Sequence, residues 1–108
     1  MKKEEIEKFE QELKEKGTKH NVITVFLEED DTEKTATFFL RKPDRTVRQL
    51  ISKLAPKNGL EAVYAAIKNL YIGGDDINIL QSNDYALASA EEAVVGMLEV
   101  QKAQLKKN

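Results

Sequence analysis

The chain has 108 residues, a third of them charged, and a formal net charge of −2, which describes one small domain and argues against a nucleic-acid binder. Cysteine is absent, which excludes disulfides, thiol nucleophiles and cysteine-ligated metals, and the single histidine, His20, argues against a histidine metal site or a catalytic triad. No apolar run approaches the roughly 18 residues of a membrane span, and no apolar segment follows the charged N-terminus. We therefore expect a cytoplasmic protein without a membrane partner, a cofactor or a catalytic group.

The first 20 residues predict a charged helix that is loosely attached to a single α+β domain over residues 21–108. Ile6, Phe9 and Leu13 recur at i, i+3 and i+7 within residues 3–16, which is the spacing of one narrow apolar helix face. Gly17 suits the residue that ends such a helix. Three large apolar residues hold a helix weakly, so we expect this one to fray or to dock on a partner.

Residues 21–29 and 34–41 predict two strands of a hairpin, joined by the polar residues 29–33. Apolar side chains alternate onto both faces of the first strand, with Ile23, Val25 and Leu27 on one face and Val22 and Phe26 on the other. A two-stranded ribbon is marginal by itself, so both faces need cover by helices, further strands or another copy of the chain. The pattern thus favours self-association.

Three helices are predicted after the hairpin. Pro43 ends the second strand, and Asp44 or Thr46 caps a helix with an apolar face over residues 47–54. The next helix spans about residues 60–70. A long last helix spans about residues 84–105, is capped by Ser82 or Asn83, and has a stripe that includes Val95, Leu98 and Leu105.

The segment between the last two helices is predicted as a break at Gly73-Gly74-Asp75-Asp76, followed by a short extended piece at Ile77 and Ile79. Glycines let backbone N–H groups approach a phosphate, and paired acids can hold a metal, so a ligand loop is one interpretation. A helix end and turn is the favoured one. With this segment, the fold prediction is a mostly helical α+β class: an N-terminal helix, a β-hairpin, then three helices.

Opposite charges occupy separate blocks of the chain. Residues 41–57 are basic and include Arg41, Arg45 and Arg48, whereas residues 28–33 and 75–99 are acidic. The basic turn is interpreted as a solvated face or a protein-docking surface, in preference to a phosphate-binding patch, because no aromatic residues are interleaved with the arginines.

The order of motifs over roughly the last 70 residues resembles the small tail assembly chaperones of tailed bacteriophages and prophages. Phe39-Leu40-Arg41-Lys42-Pro43-Asp44-Arg45 leads into the helices, Leu70-Tyr71-Ile72-Gly73-Gly74-Asp75 precedes the last helix, and residues 99–107 end it. The resemblance implies a non-enzymatic protein in a bacterial host that binds a tape-measure or tail-tube protein and shields it during assembly, with possible self-association. Residues expected at such a partner surface are Arg41, Arg45, Arg48, Tyr71, Gly73, Gly74, Asp75, Leu98 and Leu105.

An alternative from another functional class is a small regulatory protein that binds a ligand. In that interpretation, the loop from Gly73 to Asp76 and the basic turn over residues 41–48 form one site. Calorimetric titration with nucleotides and divalent metals separates the two hypotheses.

Overall fold

Four helices and a three-stranded antiparallel sheet make up the fold of the computed structural model, which describes residues 2–98. In chain order the elements are α1 (Lys3–Glu15), β1 (His20–Glu28), β2 (Asp31–Arg41), α2 (Arg45–Leu54), α3 (Gly59–Leu70), β3 (Tyr71–Gly74), a 3₁₀ helix (Ile77–Leu80) and α4 (Asp84–Leu98). This confirms the α+β class and the predicted order of helix, hairpin and helices. The predicted continuation of the last helix to residue 105, with Leu105, lies outside the described residues.

The sheet is built around β2, which pairs with β1 on one side and β3 on the other. Glu28 pairs with Asp31, so only residues 29 and 30 form the hairpin turn. The predicted connection over residues 29–33 was therefore too long. Its polar residues 32 and 33 are exposed positions of β2, in the stretch where the register between the two strands shifts.

The break predicted at Gly73 was wrong, because Tyr71–Gly74 forms the third strand. Gly73 lies opposite Phe39 and Gly74 opposite Phe38 in an antiparallel ladder. Two glycines give this segment no strand propensity of its own, so the pairing comes from the tertiary position of β2. The extended piece predicted at Ile77 and Ile79 was also wrong, since both residues lie in the 3₁₀ helix.

One face of the sheet carries the main hydrophobic core. Apolar side chains of β1 and β2 that point to this face pack against apolar side chains of α3 and α4. The residues of this core include Ile23, Val25, Phe38, Leu40, Val63, Ile67, Leu70, Leu87, Ala90 and Val94. Phe38 and Leu40 are fully buried there. The face predicted for Ile23 and Val25 is thus the one that the helices cover.

The opposite face of the sheet, which we call the outer sheet face, is covered in part by α1. The ring centroids of Phe9 and Phe39 are 4.5 Å apart, and Leu13 is buried. Beside them, Val22 and Phe26 of β1 stay 37% and 41% exposed. The second apolar face of the hairpin is therefore covered by α1, a segment of the same chain. This cover lies over β2 and β3, while Val22 and Phe26 of β1 remain exposed.

Side-chain caps determine where the later helices begin. The Asp44 Oδ1 atom accepts a hydrogen bond of 2.9 Å from the Val47 amide, so of the two predicted caps for α2 the structure selects Asp44. Asn83 Oδ1 accepts from the Ala86 amide at 3.0 Å at the start of α4. Each cap satisfies an amide that the first helical turn leaves without a partner.

Candidate partner-binding surface

Asp75 extends the pairing of β3 with β2 by one residue, and it uses its side chain to do so. Its amide donates to the Thr37 carbonyl oxygen at 2.9 Å, and its Oδ2 atom accepts from the Thr37 amide at 2.8 Å. The carboxylate thus takes the place of the backbone carbonyl that a further strand residue would present. This use of Asp75 is structural, and sequence reasoning favoured a turn here without identifying the partner.

Both glycines of the segment are required by close contacts. Gly74 has φ of +116°, and a Cβ atom on it would collide with the Thr37 carbonyl oxygen. A Cβ atom on Gly73 would collide with the Phe9 ring of α1. The Phe9 ring therefore packs directly against the backbone of Gly73. Nothing in the local sequence indicates this role.

Tyr71 joins the same cluster from the start of β3. Its hydroxyl donates to the Asp75 carbonyl oxygen at 3.0 Å, and its ring packs edge-on to Phe38 with centroids 6.3 Å apart. Burial raises the pKa of the Tyr71 hydroxyl, and the negative charges of Asp76 and Asp75 raise it further. The Tyr71 hydroxyl thus stays protonated, and as a hydrogen-bond donor it holds the turn that follows β3.

Two of the three arginines in the basic turn are engaged within the chain. Arg41 Nη1 contacts Asp44 Oδ2 at 3.1 Å, and its Nη2 donates to the Asn69 carbonyl oxygen at 3.3 Å. Arg48 Nε donates to the Leu98 carbonyl oxygen at 3.3 Å. Arg45 is exposed on the outward side of α2.

The structure brings the predicted residues together in two separate groups. Tyr71, Gly73, Gly74 and Asp75 lie at β3, whereas Arg48 and Leu98 meet where α2 approaches the last described turn of α4. Thr37, which binds Asp75, and Arg41 are four residues apart on β2, or about 13 Å at 3.3 Å per residue. Asp75 therefore lies at the end of β3 that is remote from the basic turn, whereas Tyr71 pairs with Leu40, next to Arg41.

The side of α4 that points away from the core is the largest feature that the sequence interpretation missed. Tyr85 and Val95 are 42% and 48% exposed, and Ala88 is exposed between them. Val95 had been predicted on the core stripe, but it points outward because residues 90 and 94 already fill the inward side. The spacing i, i+3 and i+10 of Tyr85, Ala88 and Val95 was the signal for a second apolar stripe.

The backbone of Phe26 in β1 lies beside this stripe. Its amide donates to Ser89 Oγ at 3.0 Å, and Ser89 is one helical turn beyond Tyr85. The bond joins α4 to the backbone of β1, while the Phe26 side chain points to the outer sheet face, away from the helices. We call the outward side of α4 with the exposed Tyr85, Ala88 and Val95 the α4 outer face; Glu91 and Glu92 lie on the same side, among these residues.

Comparison of the chain with protein-family models, with curated proteins and with solved structures found no match. In residues 2–98, no group of three or more histidine, aspartate or glutamate side chains is placed to hold a metal ion. None of the described helices combines the length and apolar character needed to cross a membrane. The α4 outer face combines exposed apolar side chains, Tyr85 and Val95 among them, with the acidic Glu91 and Glu92.

Proposed function

We propose that this protein is a non-enzymatic binding protein of the tail assembly chaperone type, which covers an apolar segment of a tape-measure or tail-tube protein in a bacterial host. The observation that carries the proposal is the α4 outer face. The outward side of α4 exposes Tyr85 and Val95, two large apolar side chains, among its acidic residues. This side faces solvent, so a partner that covers it would remove apolar surface from water.

The charge around this surface favours one class of partner. Asp84, Glu91 and Glu92 are the only charged residues of α4, and all three are acidic. A client helix or strand with apolar residues flanked by lysine or arginine would match the surface in both respects. The motif order described above adds the tail proteins of phages as the specific class of client.

The loop residues support the same proposal by the roles they already fill. Asp75, Gly73 and Gly74 are each committed to a contact with Thr37 or Phe9, which favours the structural interpretation of the segment over the ligand loop.

Co-expression with a candidate client tests the proposal. The tape-measure or tail-tube protein encoded beside this gene is produced with and without the chain, and its soluble fraction and co-purification are measured. We expect the wild-type chain to keep the client soluble and to co-purify with it. Absence of such a neighbouring gene, or a client that stays insoluble and unbound, would overturn the proposal.

Matched variants locate the interaction. Val95→Lys places a charge on the α4 outer face in a residue with good helix propensity, and Tyr85→Glu places one in the first turn, where an acid suits the helix dipole. Gln49→Lys makes a similar change on the exposed outward side of α2. We expect the first two to lose the client and Gln49→Lys to retain it; equal retention by all three would exclude the α4 outer face.

A further inference from the structure

The contact between α1 and the outer sheet face is centred on the Phe9 ring. Phe9 lies against Phe39 at 4.5 Å and over Gly73, and only a glycine leaves room for the ring there. Thr37, on the same face as Phe39, is buried as well. We call Phe39, Gly73 and Thr37 the Phe9 seat.

The attachment of α1 to this seat is weak by comparison with the other helices. Of its 13 residues only Leu13 is buried, while Ile6 and Phe9 are half-buried. Among the described residues, no side-chain hydrogen bond or ion pair joins α1 to the sheet. A helix held by three apolar side chains opens at a much lower free energy than the core.

The residues after α1 let it move as a unit. Gly17 takes φ of +70°, and the Gly17 and Thr18 amides bond back only to carbonyl oxygens at the end of α1 itself. Residues 16–19 thus form a short connection between the helix and β1, with no tie to the core that undocking of α1 would break. Undocking would cost the Ile6, Phe9 and Leu13 contacts and leave the three-stranded sheet paired.

We infer that the Phe9 seat is a second binding site for the client, which α1 fills in the free protein and vacates for an amphipathic helix of the client. The inference rests on the proposed function, because it assigns a site to the same partner. The chemistry of the occupant is read from α1: apolar residues at i, i+3 and i+7 with an aromatic ring in the middle, on a helix otherwise rich in glutamate and lysine. Such helix-in-groove docking is a common mode of peptide recognition.

A competing helix inside the chain lowers the affinity of the seat for any other helix. If α1 is seated in more than nine molecules of ten, the apparent affinity for a competitor falls about tenfold or more. Removal of the Phe9 ring should therefore strengthen binding, although it destabilises the contact seen in the free protein. A purely structural role for Phe9 gives no such gain.

The experiment uses the full chain and a synthetic peptide of residues 2–16 as the probe, labelled with a fluorophore for polarisation measurements. We expect the Phe9→Ala chain to bind the peptide at least about tenfold more tightly than the wild-type chain does. A second peptide with Phe9→Ala should bind neither. Equal or weaker binding of the first peptide by the Phe9→Ala chain would overturn the inference.

A double variant tests whether the peptide occupies the seat itself. In the Phe9→Ala chain the three ring atoms that a Cβ on Gly73 would meet are gone, so Gly73→Val can be added there, and its side chain occupies the space that the ring leaves. We expect peptide binding to disappear, while Glu12→Ala on the exposed side of α1 leaves wild-type behaviour unchanged. Peptide binding that survives Gly73→Val would place the site elsewhere.

Amide hydrogen exchange of the wild-type chain provides a readout that needs no variant to fold. We expect the α1 amides to exchange at least about 100-fold faster than those of β2, which lies in the centre of the sheet. Exchange of α1 as slow as that of β2 would show that the helix does not leave its seat and would exclude the inference. Neither result bears on the α4 outer face, so failure here leaves the proposed function testable by co-expression.

Discussion

Thr37 and Asp75 exchange two hydrogen bonds, one from the Asp75 amide to the Thr37 carbonyl oxygen and one from the Thr37 amide to the Asp75 carboxylate. Asp75→Ala leaves the partly buried Thr37 amide without its acceptor, which we expect to cost about 1–3 kcal/mol of the free energy of unfolding. Asp75→Asn keeps an acceptor oxygen and should lose distinctly less. Urea unfolding of both variants measures the difference, and equal losses would contradict the strand-like role of the carboxylate.

Gly74 and Gly96 should respond in opposite directions to the same substitution. Gly74→Ala puts a Cβ atom at φ of +116° and against the Thr37 carbonyl oxygen, so we expect a loss of about 3 kcal/mol. Gly96 lies in α4 with nothing within 4 Å of an added Cβ, so Gly96→Ala should stabilise the chain by about 0.5–1 kcal/mol. Thermal unfolding compares the two; a neutral Gly74→Ala would refute the close approach.

Asn83 links the start of α4 to the end of β1. Its Oδ1 atom caps the Ala86 amide at 3.0 Å, and its Nδ2 donates to the Leu27 carbonyl oxygen at 3.1 Å. Asn83→Ala removes both bonds and should cost about 1–2 kcal/mol. Asn83→Asp keeps the capping oxygen and removes the Nδ2 donor. Its free energy of unfolding, measured by chemical denaturation, should therefore lie between those of the wild type and Asn83→Ala. A value equal to that of Asn83→Ala would show that the cap contributes nothing.

Asp44 should make the stability of the chain depend on acid pH. The Val47 amide, with a further contribution from Arg41, holds the pKa of the Asp44 carboxyl below its ordinary value of 3.8. A carboxyl whose pKa is lower in the folded state stabilises fully above 3.8 and loses that contribution as the pH falls through the folded pKa.

Asp44→Asn isolates this effect because asparagine caps the helix without titrating. We expect the stability difference between wild type and Asp44→Asn to shrink as the pH is lowered from 5 to about 2.5. Unfolding in urea across that range provides the measurement. A difference that stays constant with pH would contradict the lowered pKa.

Calorimetric titration with nucleotides and divalent metals should give no response. The Gly73–Asp76 segment uses its carboxylate and glycines within the fold, and it lies about 13 Å along β2 from the basic turn. A micromolar response that Asp75→Asn abolishes would revive the ligand-binding hypothesis. Gly73→Val is the wrong control for that question in the wild-type chain, because it displaces Phe9.

The sequence by itself predicted the elements whose periodicity is local. The α1 stripe of Ile6, Phe9 and Leu13, the alternation in β1, and the caps among Asp44 and Asn83 depend on neighbours within a few residues, and the structure confirms them. The charge blocks are also a property of the chain order alone. They required no knowledge of which elements touch.

Only the tertiary structure decided the roles of Gly73, Gly74 and Asp75. Their partners are Phe9 and Thr37, which lie between 37 and 64 residues away in the chain, and local propensity for a glycine pair indicates a turn and not a strand. The same holds for Val95, which borders the inward stripe of Leu87, Ala90 and Val94 on the helix, and only the packing of α4 decided that Val94 faces the core and Val95 faces solvent. Contacts between distant segments determined which apolar residues became core and which remained exposed.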